Sequence, residues 1–296
     1  MDAVIQISDL TKYYGKHLGI KNVNLEVNKG DIFGFIGPNG AGKSTTIRLL
    51  LGFIKKTSGS AKVLGHDIDD NHLDILANIG YMQSQSNFYK DLTVKQTIEL
   101  SSKLRKNVDR NYIRLLVERL EIDENKKIRE LSLGNKKKLN IVLAVFHKPK
   151  LLILDEPTSG LDPLMQKEFW NIIDELVLEG STVFLSSHVL DEVQHKCNKA
   201  AIIRKGQIIS TADIQELKDS MPKRIKISGI DHINFSDGVK DLVTGDNNVS
   251  FLYTGDINAL IATLSKLKIE DLNITEPDLE EVFLHYYSKE EKNANI

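Results

Sequence analysis

Alternating apolar and polar residues open the chain. Residues 4–10 and 23–27 alternate with a period of two, as short strands do. A largely apolar run at residues 31–36 then leads into a glycine-rich loop, and helical character follows at residues 45–51. The pattern predicts two half-buried strands and then a buried strand, a loop and a helix.

The middle of the chain changes to helical periodicity, from about residue 92 to 146. Two apolar stripes show this spacing: Ile113, Leu116, Val117 and Leu120, and then Leu139, Val142, Leu143 and Phe146. Strand-like runs return at residues 151–154, 182–185 and 201–203, and a helix over residues 163–179 separates the first two. Alternating strands and helices predict a mostly parallel sheet with right-handed crossovers. The helical block, about residues 85–148, is predicted to be a subdomain inserted into that sheet.

The pattern changes again beyond about residue 214. Strand-like runs at residues 224–228, 249–253 and 269–274 surround a helical stretch at residues 258–267. Pro277 then opens an apolar helical face, formed by Leu279, Val282, Phe283 and Tyr286. We therefore predict a main α/β domain over residues 1–215, a small α/β appendage over residues 216–290 and a polar tail over residues 291–296.

Composition narrows the class of protein. A chain of 296 residues with 41% hydrophobic and 27% charged residues is typical of globular proteins. The formal net charge of −2 argues against a nucleic-acid partner. The single cysteine, Cys197, excludes a disulfide within the chain and a zinc site of several cysteines. Its helical spacing from Leu190 and Val193 predicts a buried apolar position.

The sequence shows no pattern typical of a membrane span or a signal peptide. No apolar run approaches the roughly 18 residues that cross a bilayer, and the first residues lack the pattern of a signal peptide. We therefore expect the protein to remain in a reducing cytoplasm. If it acts at a membrane, another chain must carry the spanning helices.

The glycine-rich loop matches the phosphate-loop motif at every fixed position. It consists of Gly37, Pro38, Asn39, Gly40, Ala41, Gly42, Lys43 and Ser44, and Thr45 follows in the predicted helix. Glycines allow backbone N–H groups to close around phosphate oxygens, and the helix directs its positive end to the same place. Lys43 suits the β- and γ-phosphates, and Ser44 suits Mg²⁺.

Two acids end the apolar run at residues 151–154. Asp155 and Glu156 therefore stand at the carboxyl end of a predicted strand, where ligands bind in open α/β sheets. Adjacent acids at a strand end are often surface charges, but the upstream phosphate loop favours a catalytic role. Asp155 suits Mg²⁺, and Glu156 suits a base that orients or deprotonates the attacking water.

From about residue 4 to 215 the chain resembles the ATP-binding subunits of ABC transporters. Besides the phosphate loop and the two acids, four motifs in the expected order carry this resemblance: Tyr14 upstream of the loop, the signature-like residues 131–135 (Leu-Ser-Leu-Gly-Asn), residues 159–162 (Ser-Gly-Leu-Asp) and residues 186–188 (Ser-Ser-His). The resemblance implies a P-loop NTPase core with a mostly parallel sheet, N-terminal antiparallel strands and an inserted helical subdomain.

The resemblance also implies roles for single residues. Tyr14 stacks on adenine, although Tyr13 is an alternative, and His188 contacts the γ-phosphate. Ser132 and the Gly134 amide form an anion site that faces the γ-phosphate held by a second subunit. Asp162 is expected at the same interface. The implied catalytic residues are Glu156, His188 and Lys43.

Two departures from the family pattern stand out. In the signature, Leu133 replaces the first glycine and residues 135–138 read Asn-Lys-Lys-Lys where glutamines are usual. The three lysines are interpreted as a solvated helix face, the alternative being a positive field near the nucleotide. In the loop that usually supplies a metal-contacting glutamine, Ser84 takes that position, flanked by Gln83 and Gln85. We hypothesise that Ser84 or Gln85 contacts the metal through water, which gives Ser44, Asp155 and Gln85 as metal candidates.

Residues 276–284 resemble the tail of the type-two exporter branch, which includes drug, peptide and antibiotic exporters. A generic amphipathic helix is the alternative. The sequence thus predicts an ATPase subunit that uses ATP and Mg²⁺ and pairs with a second ATP-binding subunit, identical or different. We expect this pair of subunits to bind an integral-membrane permease and therefore to lie peripherally on the cytoplasmic face of the membrane. Two alternative functions remain. The first is a non-transport ABC ATPase in translation or DNA repair, a class that usually shows a second ATPase unit, a coiled-coil insertion or zinc cysteines. The second is a regulatory module without catalysis.

Overall fold

The computed structural model describes residues 3–70, 72–84, 87–105, 108–220, 222–232 and 238–275. The chain divides into two compact units, Met1–Ala212 and Asp213–Ile296. Each unit has its own secondary structure and its own hydrophobic core.

The elements of the first unit begin with an antiparallel region and continue with alternating strands and helices. Its strands are β1 (Ala3–Tyr14), β2 (His17–Asn28), β3 (Ile32–Ile36), β4 (Ser58–Val63), β5 (His66–Asp67), β6 (Ile79–Met82), β7 (Leu151–Asp155), β8 (Thr182–Ser187), β9 (Lys199–Arg204) and β10 (Gln207–Asp213). Its helices are α1 (Lys43–Leu50), α2 (His72–Ala77), α3 (Val94–Lys103), α4 (Arg110–Arg119), α5 (Leu133–Val145), α6 (Pro163–Leu178) and α7 (Leu190–Lys196), with a short 3-10 helix at Ile128–Glu130.

The N-terminal strands form a four-stranded sheet in the order β2-β1-β4-β5, with antiparallel neighbours. Strands β1 and β2 are longer than the alternating pattern predicted. Their register shifts at several points, for example between Ile7 and Leu10, where Asp9 adopts a left-handed φ of 49°. Such bulges break the period of two, so the pattern showed only the regular part of each strand.

The six-stranded sheet has the order β10-β9-β3-β8-β7-β6. All the pairs from β9 to β6 are parallel, which confirms the predicted mostly parallel core. Strand β6 was not predicted. It is only four residues long, and it contains Gly80, whose added Cβ would lie 2.1 Å from the Ala144 carbonyl oxygen of α5. The close approach of α5 to β6 explains a glycine that the strand pattern alone disfavours.

Three helices follow β6 and form the helical block. A capping box between Thr93 and Gln96 begins α3, and the Asp109 carboxylate caps α4. The predicted apolar stripe of α4 is buried at Ile113, Leu116 and Val117. The predicted third stripe lies in α5, which begins directly after Ser132.

In its described residues, the second unit contains a four-stranded antiparallel sheet and two helices. Its elements are α8 (Ile214–Ser220), β11 (Lys223–Ser228), β12 (Val239–Gly245), β13 (Asn248–Tyr253), α9 (Ile257–Leu264) and β14 (Asp271–Thr275). The sheet order is β12-β13-β11-β14, and Ile225, Ile227, Phe251 and Leu260 lie in its core. The predicted helix at residues 258–267 is shorter than expected, and β12 was not predicted because its residues are mostly exposed. The predicted helix from Pro277 lies outside the described residues.

The structure also bears on the predicted burial of Cys197 and on whether any helix could span a membrane. Cys197 is buried at the end of α7, and burial raises the pKa of its thiol. Within the ranges that the structure describes, no helix is both long and apolar enough to span a bilayer.

Candidate functional site

The loop between β3 and α1 is packed so closely that two of its glycines are required. Gly42 has a φ of 114°, and an added Cβ would lie 2.7 Å from the Ile20 Cγ2 atom. A Cβ on Gly37 would lie 2.3 Å from the Ile203 carbonyl oxygen. Because any side chain at either position would collide with β2 or β9, the tight backbone path depends on glycine.

Lys43 is the first residue of α1, and its side chain is buried. The Nζ atom donates hydrogen bonds to the carbonyl oxygens of Gly37 at 2.6 Å and Pro38 at 3.3 Å. Burial lowers the pKa of Lys43 from its ordinary value, while the nearby carboxylates of Glu156 and Asp155 act in the opposite direction. The ammonium group is thus folded back over the loop that its own backbone helps to form.

Asp155 ends β7 and is also buried. Its Oδ2 atom accepts a hydrogen bond from Ser44 Oγ at 3.3 Å, and its Oδ1 atom accepts one from Ser186 Oγ at 2.5 Å. The structure therefore brings together Ser44 and Asp155, the two predicted metal candidates that it describes. The role of Ser186 as a partner of Asp155 was not predicted, although the sequence places it beside the candidate His188.

Glu156 follows in a left-handed backbone conformation, with a φ of 49°. This region is uncommon for residues other than glycine and requires support from the surroundings. The Glu156 N–H donates to the Ser186 carbonyl oxygen at 3.0 Å. The carboxylate oxygen Oε1 lies 3.1 Å from His188 Nδ1 and 3.9 Å from Lys43 Nζ. The three predicted catalytic side chains are therefore in one cluster, with the Glu156 carboxylate between the Lys43 ammonium group and the His188 ring.

A cavity of about 260 Å³ opens beside this cluster. Its lining residues are Tyr14, Leu18, Gly19, Pro38, Asn39, Gly40, Gly42, Lys43, Ser44, Thr45 and Glu156. The cavity thus joins the phosphate loop to Tyr14. Tyr13 is not among its lining residues, which favours Tyr14 over the alternative.

Leu18 and Gly19 were missed as cavity residues. They lie near the start of β2, in the hairpin that also carries Tyr14, and Leu18 pairs with Tyr13 across it. An added Cβ on Gly19 would lie 3.0 Å from the Tyr14 ring. The position of Gly19 shortly after Tyr14 in the sequence was the signal that could have predicted these cavity residues.

The signature-like segment occupies the first turn of α5. Ser132 is the N-cap, and its Oγ accepts a hydrogen bond from the Asn135 N–H at 3.2 Å. Ser132 is exposed, Gly134 is half-buried, and Leu133 is 73% exposed. Neither Ser132 nor Gly134 lines the cavity around Lys43 within the described part of the chain. The first turn of α5 is therefore available to a ligand other than one held in that cavity.

Asp162 also caps a helix. Its Oδ1 atom accepts a hydrogen bond from the Met165 N–H at 3.0 Å at the start of α6. The residue is exposed, and its expected place at a subunit interface stays a prediction.

The interpretation of the three lysines as a solvated face was wrong for Lys137. Its side chain is buried, with 4% of the residue exposed, and Nζ donates to the Glu156 carbonyl oxygen at 2.7 Å. Lys136 and Lys138 are half-buried. The reason is position: Lys137 lies on the face of α5 that packs towards the ends of β6 and β7.

The loop after β6 is described only in part. Ser84 is exposed, and its carbonyl oxygen lies 3.4 Å from Lys137 Nζ. Gln85 lies outside the described residues, so its proposed contact with a metal stays a prediction. No group of three or more His, Cys, Asp and Glu side chains that fits a metal ion occurs among the residues that the structure places.

Comparisons with known proteins identify the family of the chain. The family model described as ABC transporter matches residues 20–159. The bacitracin transport ATP-binding protein BcrA of Bacillus licheniformis is 39% identical over 221 residues, which cover 74% of this chain and 72% of the relative. The probable multidrug ABC transporter ATP-binding protein YbhF of Escherichia coli is 36% identical over 222 residues, which cover 73% of this chain and 38% of that protein.

Solved structures give the same result. An ATP-binding subunit of an ABC transporter superimposes with a TM-score of 0.69 at 25% identity, covering 73% of this chain and 92% of that one. The cbiO1 protein of Clostridium perfringens, part of the ABC transporter complex cbiONQ, superimposes with a TM-score of 0.62 at 26% identity, covering 73% of this chain and 91% of that one.

Proposed function

The chain belongs to the ABC transporter family as an ATP-binding and ATP-hydrolysing subunit that powers export, and from this premise we propose how its residues divide the work. Two ATP molecules are held between two such subunits. Each ATP lies on the phosphate loop of one subunit and against the first turn of α5 of the other.

One observation carries the proposal of a shared site. Tyr14, the phosphate loop and Glu156 line one cavity, whereas Ser132 and Gly134 of the same chain do not line it. The first turn of α5 carries the positive end of a 13-residue helix, which favours an anion. The γ-phosphate of an ATP held by a second subunit supplies that anion. Ser132 and Gly134 would therefore bind nucleotide only when two subunits pair.

The phosphate-binding residues suit a divalent cation. Ser44 and Asp155 offer a hydroxyl and a carboxylate, and Mg²⁺ prefers a few such protein oxygens together with phosphates and water. When bound, Mg²⁺ neutralises charge on the phosphate oxygens. Ser186 holds the second Asp155 oxygen and fixes the orientation of the carboxylate.

Hydrolysis needs a base near the γ-phosphate and cations around it. We assign the base to Glu156, which orients the attacking water and accepts its proton as the oxygen joins phosphorus and the bond to ADP breaks. Lys43 and His188 flank this carboxylate and stabilise the charge that develops on the phosphoryl oxygens.

The partners and location follow from the same premise. We propose that the pair of subunits docks on an integral-membrane permease and therefore sits peripherally on the cytoplasmic face of the membrane. BcrA is named for bacitracin transport and YbhF for multidrug transport, which supports a peptide antibiotic or a drug-like compound as the exported substrate. Co-purification of the chain with the product of a neighbouring permease gene tests this assignment.

Ser132→Arg is expected to abolish ATP-dependent dimerisation while leaving ATP binding by the monomer within about twofold. The bulky cation blocks the anion site at the start of α5, which lies outside the cavity of its own chain. Sizing chromatography with saturating MgATP measures dimerisation, and a fluorescent ATP analogue measures affinity. Ser60→Arg, at an exposed serine of β4, is the control. Equal loss of ATP affinity and dimerisation in Ser132→Arg would place this segment in the nucleotide site of the same chain.

Tyr14→Ala is expected to weaken ATP binding about 10-fold, since stacking of an aromatic ring on a base contributes roughly 1–3 kcal/mol. Tyr14→Phe keeps the ring and should bind within about twofold of the wild type. Tyr13→Ala serves as the matched control, because Tyr13 does not line the cavity. A larger effect for Tyr13→Ala than for Tyr14→Ala would reverse the assignment of the stacking residue.

A further inference from the structure

Lys137 is a buried lysine one turn and a half into α5, the helix that begins with the signature-like segment. Its side chain points away from the solvent and towards the carboxyl ends of two strands. Burial of a cation is costly unless partners compensate for the lost hydration. The surroundings of Lys137 therefore indicate what it is held there to do.

The strongest of its contacts is with the proposed catalytic base. Nζ donates a hydrogen bond of 2.7 Å to the carbonyl oxygen of Glu156. Hydrogen bonds from a charged donor are roughly twice as strong as neutral ones. The bond reaches the backbone of Glu156, so the carboxylate remains available to Lys43 and His188.

This backbone is the part of Glu156 that needs support. Its left-handed φ of 49° is uncommon for a residue with a side chain, and such a conformation persists only when neighbouring groups hold it. The Glu156 N–H is held by the Ser186 carbonyl oxygen. Lys137 holds the carbonyl oxygen on the other side, so the peptide groups on both sides of the Cα atom are fixed.

Charge supports the same placement. Asp155, Glu156 and Glu192 are the carboxylates whose charges act on Lys137. They raise its pKa, while burial, the larger effect, lowers it. A buried cation here offsets the repulsion between Asp155 and Glu156 at the end of β7 and Glu192 on α7.

The same face of α5 also holds the loop after β6. Lys137 Nζ lies 3.4 Å from the Ser84 carbonyl oxygen, and Asn140 Nδ2 donates to the Gln83 carbonyl oxygen at 3.1 Å. Asn140 is one turn further along α5. One helix therefore contacts the backbone of the catalytic base and of the loop where the usual metal-contacting glutamine is absent.

We propose that Lys137 is a positioning residue for ATP hydrolysis, which fixes the backbone of Glu156 and thereby links the catalytic base to the signature helix α5. This inference rests on the proposed role of Glu156 as the base. Movement of α5, when its first turn binds the partner's nucleotide, is passed through Lys137 to the Glu156 main chain.

Lys137→Met removes the donor and keeps the length and volume of the side chain. We expect kcat for ATP hydrolysis to fall about 10- to 100-fold, because a shift of about 1 Å in a catalytic group costs about 100-fold. ATP affinity should stay within about twofold, since Lys137 does not line the cavity. Lys137→Gln, a neutral hydrogen-bond donor, should give an intermediate kcat and provides a second measurement if the methionine variant folds poorly.

Lys138→Met, at the half-buried neighbour, is the matched control and should hydrolyse ATP at the wild-type rate. In single-turnover assays, Lys137→Met combined with Glu156→Gln should be no slower than Glu156→Gln alone, because both changes act on one group. The proposal is overturned if Lys137→Met and Lys137→Gln match Lys138→Met, if ATP affinity falls together with kcat, or if the double variant shows the product of the two losses. Failure of the proposed function looks different, since the wild-type chain would then hydrolyse no ATP or Glu156→Gln would leave its rate unchanged.

Discussion

Glu156→Gln is expected to lower the rate of ATP hydrolysis by about 10²- to 10⁴-fold, the usual contribution of a positioned general base. The amide cannot accept a proton from water, yet it keeps the size of the carboxylate. It also keeps an oxygen that can face His188 Nδ1, now 3.1 Å from Glu156 Oε1. ATP binding should therefore persist, and the dimer that closes on ATP should accumulate because it cannot reopen through hydrolysis.

The measurement combines phosphate release at saturating MgATP with sizing chromatography of the same sample. Glu118→Gln, at an exposed glutamate on α4, controls for the loss of one negative charge. A Glu156→Gln protein that remains monomeric in saturating MgATP would contradict the proposed dimer. A nearly normal rate of phosphate release would remove Glu156 from the role of base.

Lys43→Ala is expected to lower kcat/KM by about 10²- to 10³-fold, the usual effect of removing one preorganised donor to developing charge. The loss should appear in ATP affinity as well as in turnover, because the phosphates are bound in the ground state too. Lys43 Nζ also donates to the Gly37 and Pro38 carbonyl oxygens, so the loop loses an internal hydrogen-bond donor. This double effect separates Lys43→Ala from Glu156→Gln, which should retain ATP.

Phosphate release over a range of ATP concentrations, together with direct titration of a fluorescent ATP analogue, distinguishes the two contributions. Lys62→Ala, at an exposed lysine on β4, is the control for charge. If Lys43→Ala binds ATP as tightly as the wild type and loses turnover alone, Lys43 acts only in the transition state. If both quantities are unchanged, the loop does not hold the nucleotide.

Only some of the fold was evident in the order of residues. The parallel core was predictable because β7 and β8 are short apolar runs separated by a helical pattern. Such local patterns of apolar residues predict the strands and helices that form in the folded chain. Strands β6 and β12 were not predicted, for two different reasons. The first is short and contains a glycine required by the approach of α5, while the second has mostly exposed residues and therefore no apolar pattern.

In the candidate site, too, some residues could be predicted from the sequence and others only from the structure. Sequence order alone predicted the phosphate loop, the acids Asp155 and Glu156 and the candidate His188, because each is recognised within a short run of neighbouring residues. The sequence already favoured Tyr14 over Tyr13, and the cavity supports that choice, because Tyr14 lines it and Tyr13 does not.

Lys137 marks the limit of what sequence order determines. In sequence it is the middle one of three lysines, and such a run usually forms a solvated face. In the structure its partners, Ser84 and Glu156, come from two different strand ends, 53 and 19 residues away along the chain. The sequence by itself determined an ATPase with a phosphate loop and a signature-like helix start, and it predicted Glu156 as the catalytic base. Only the tertiary structure decided that this helix contacts the backbone of Glu156 through Lys137, because burial and hydrogen bonding depend on segments that meet only after folding.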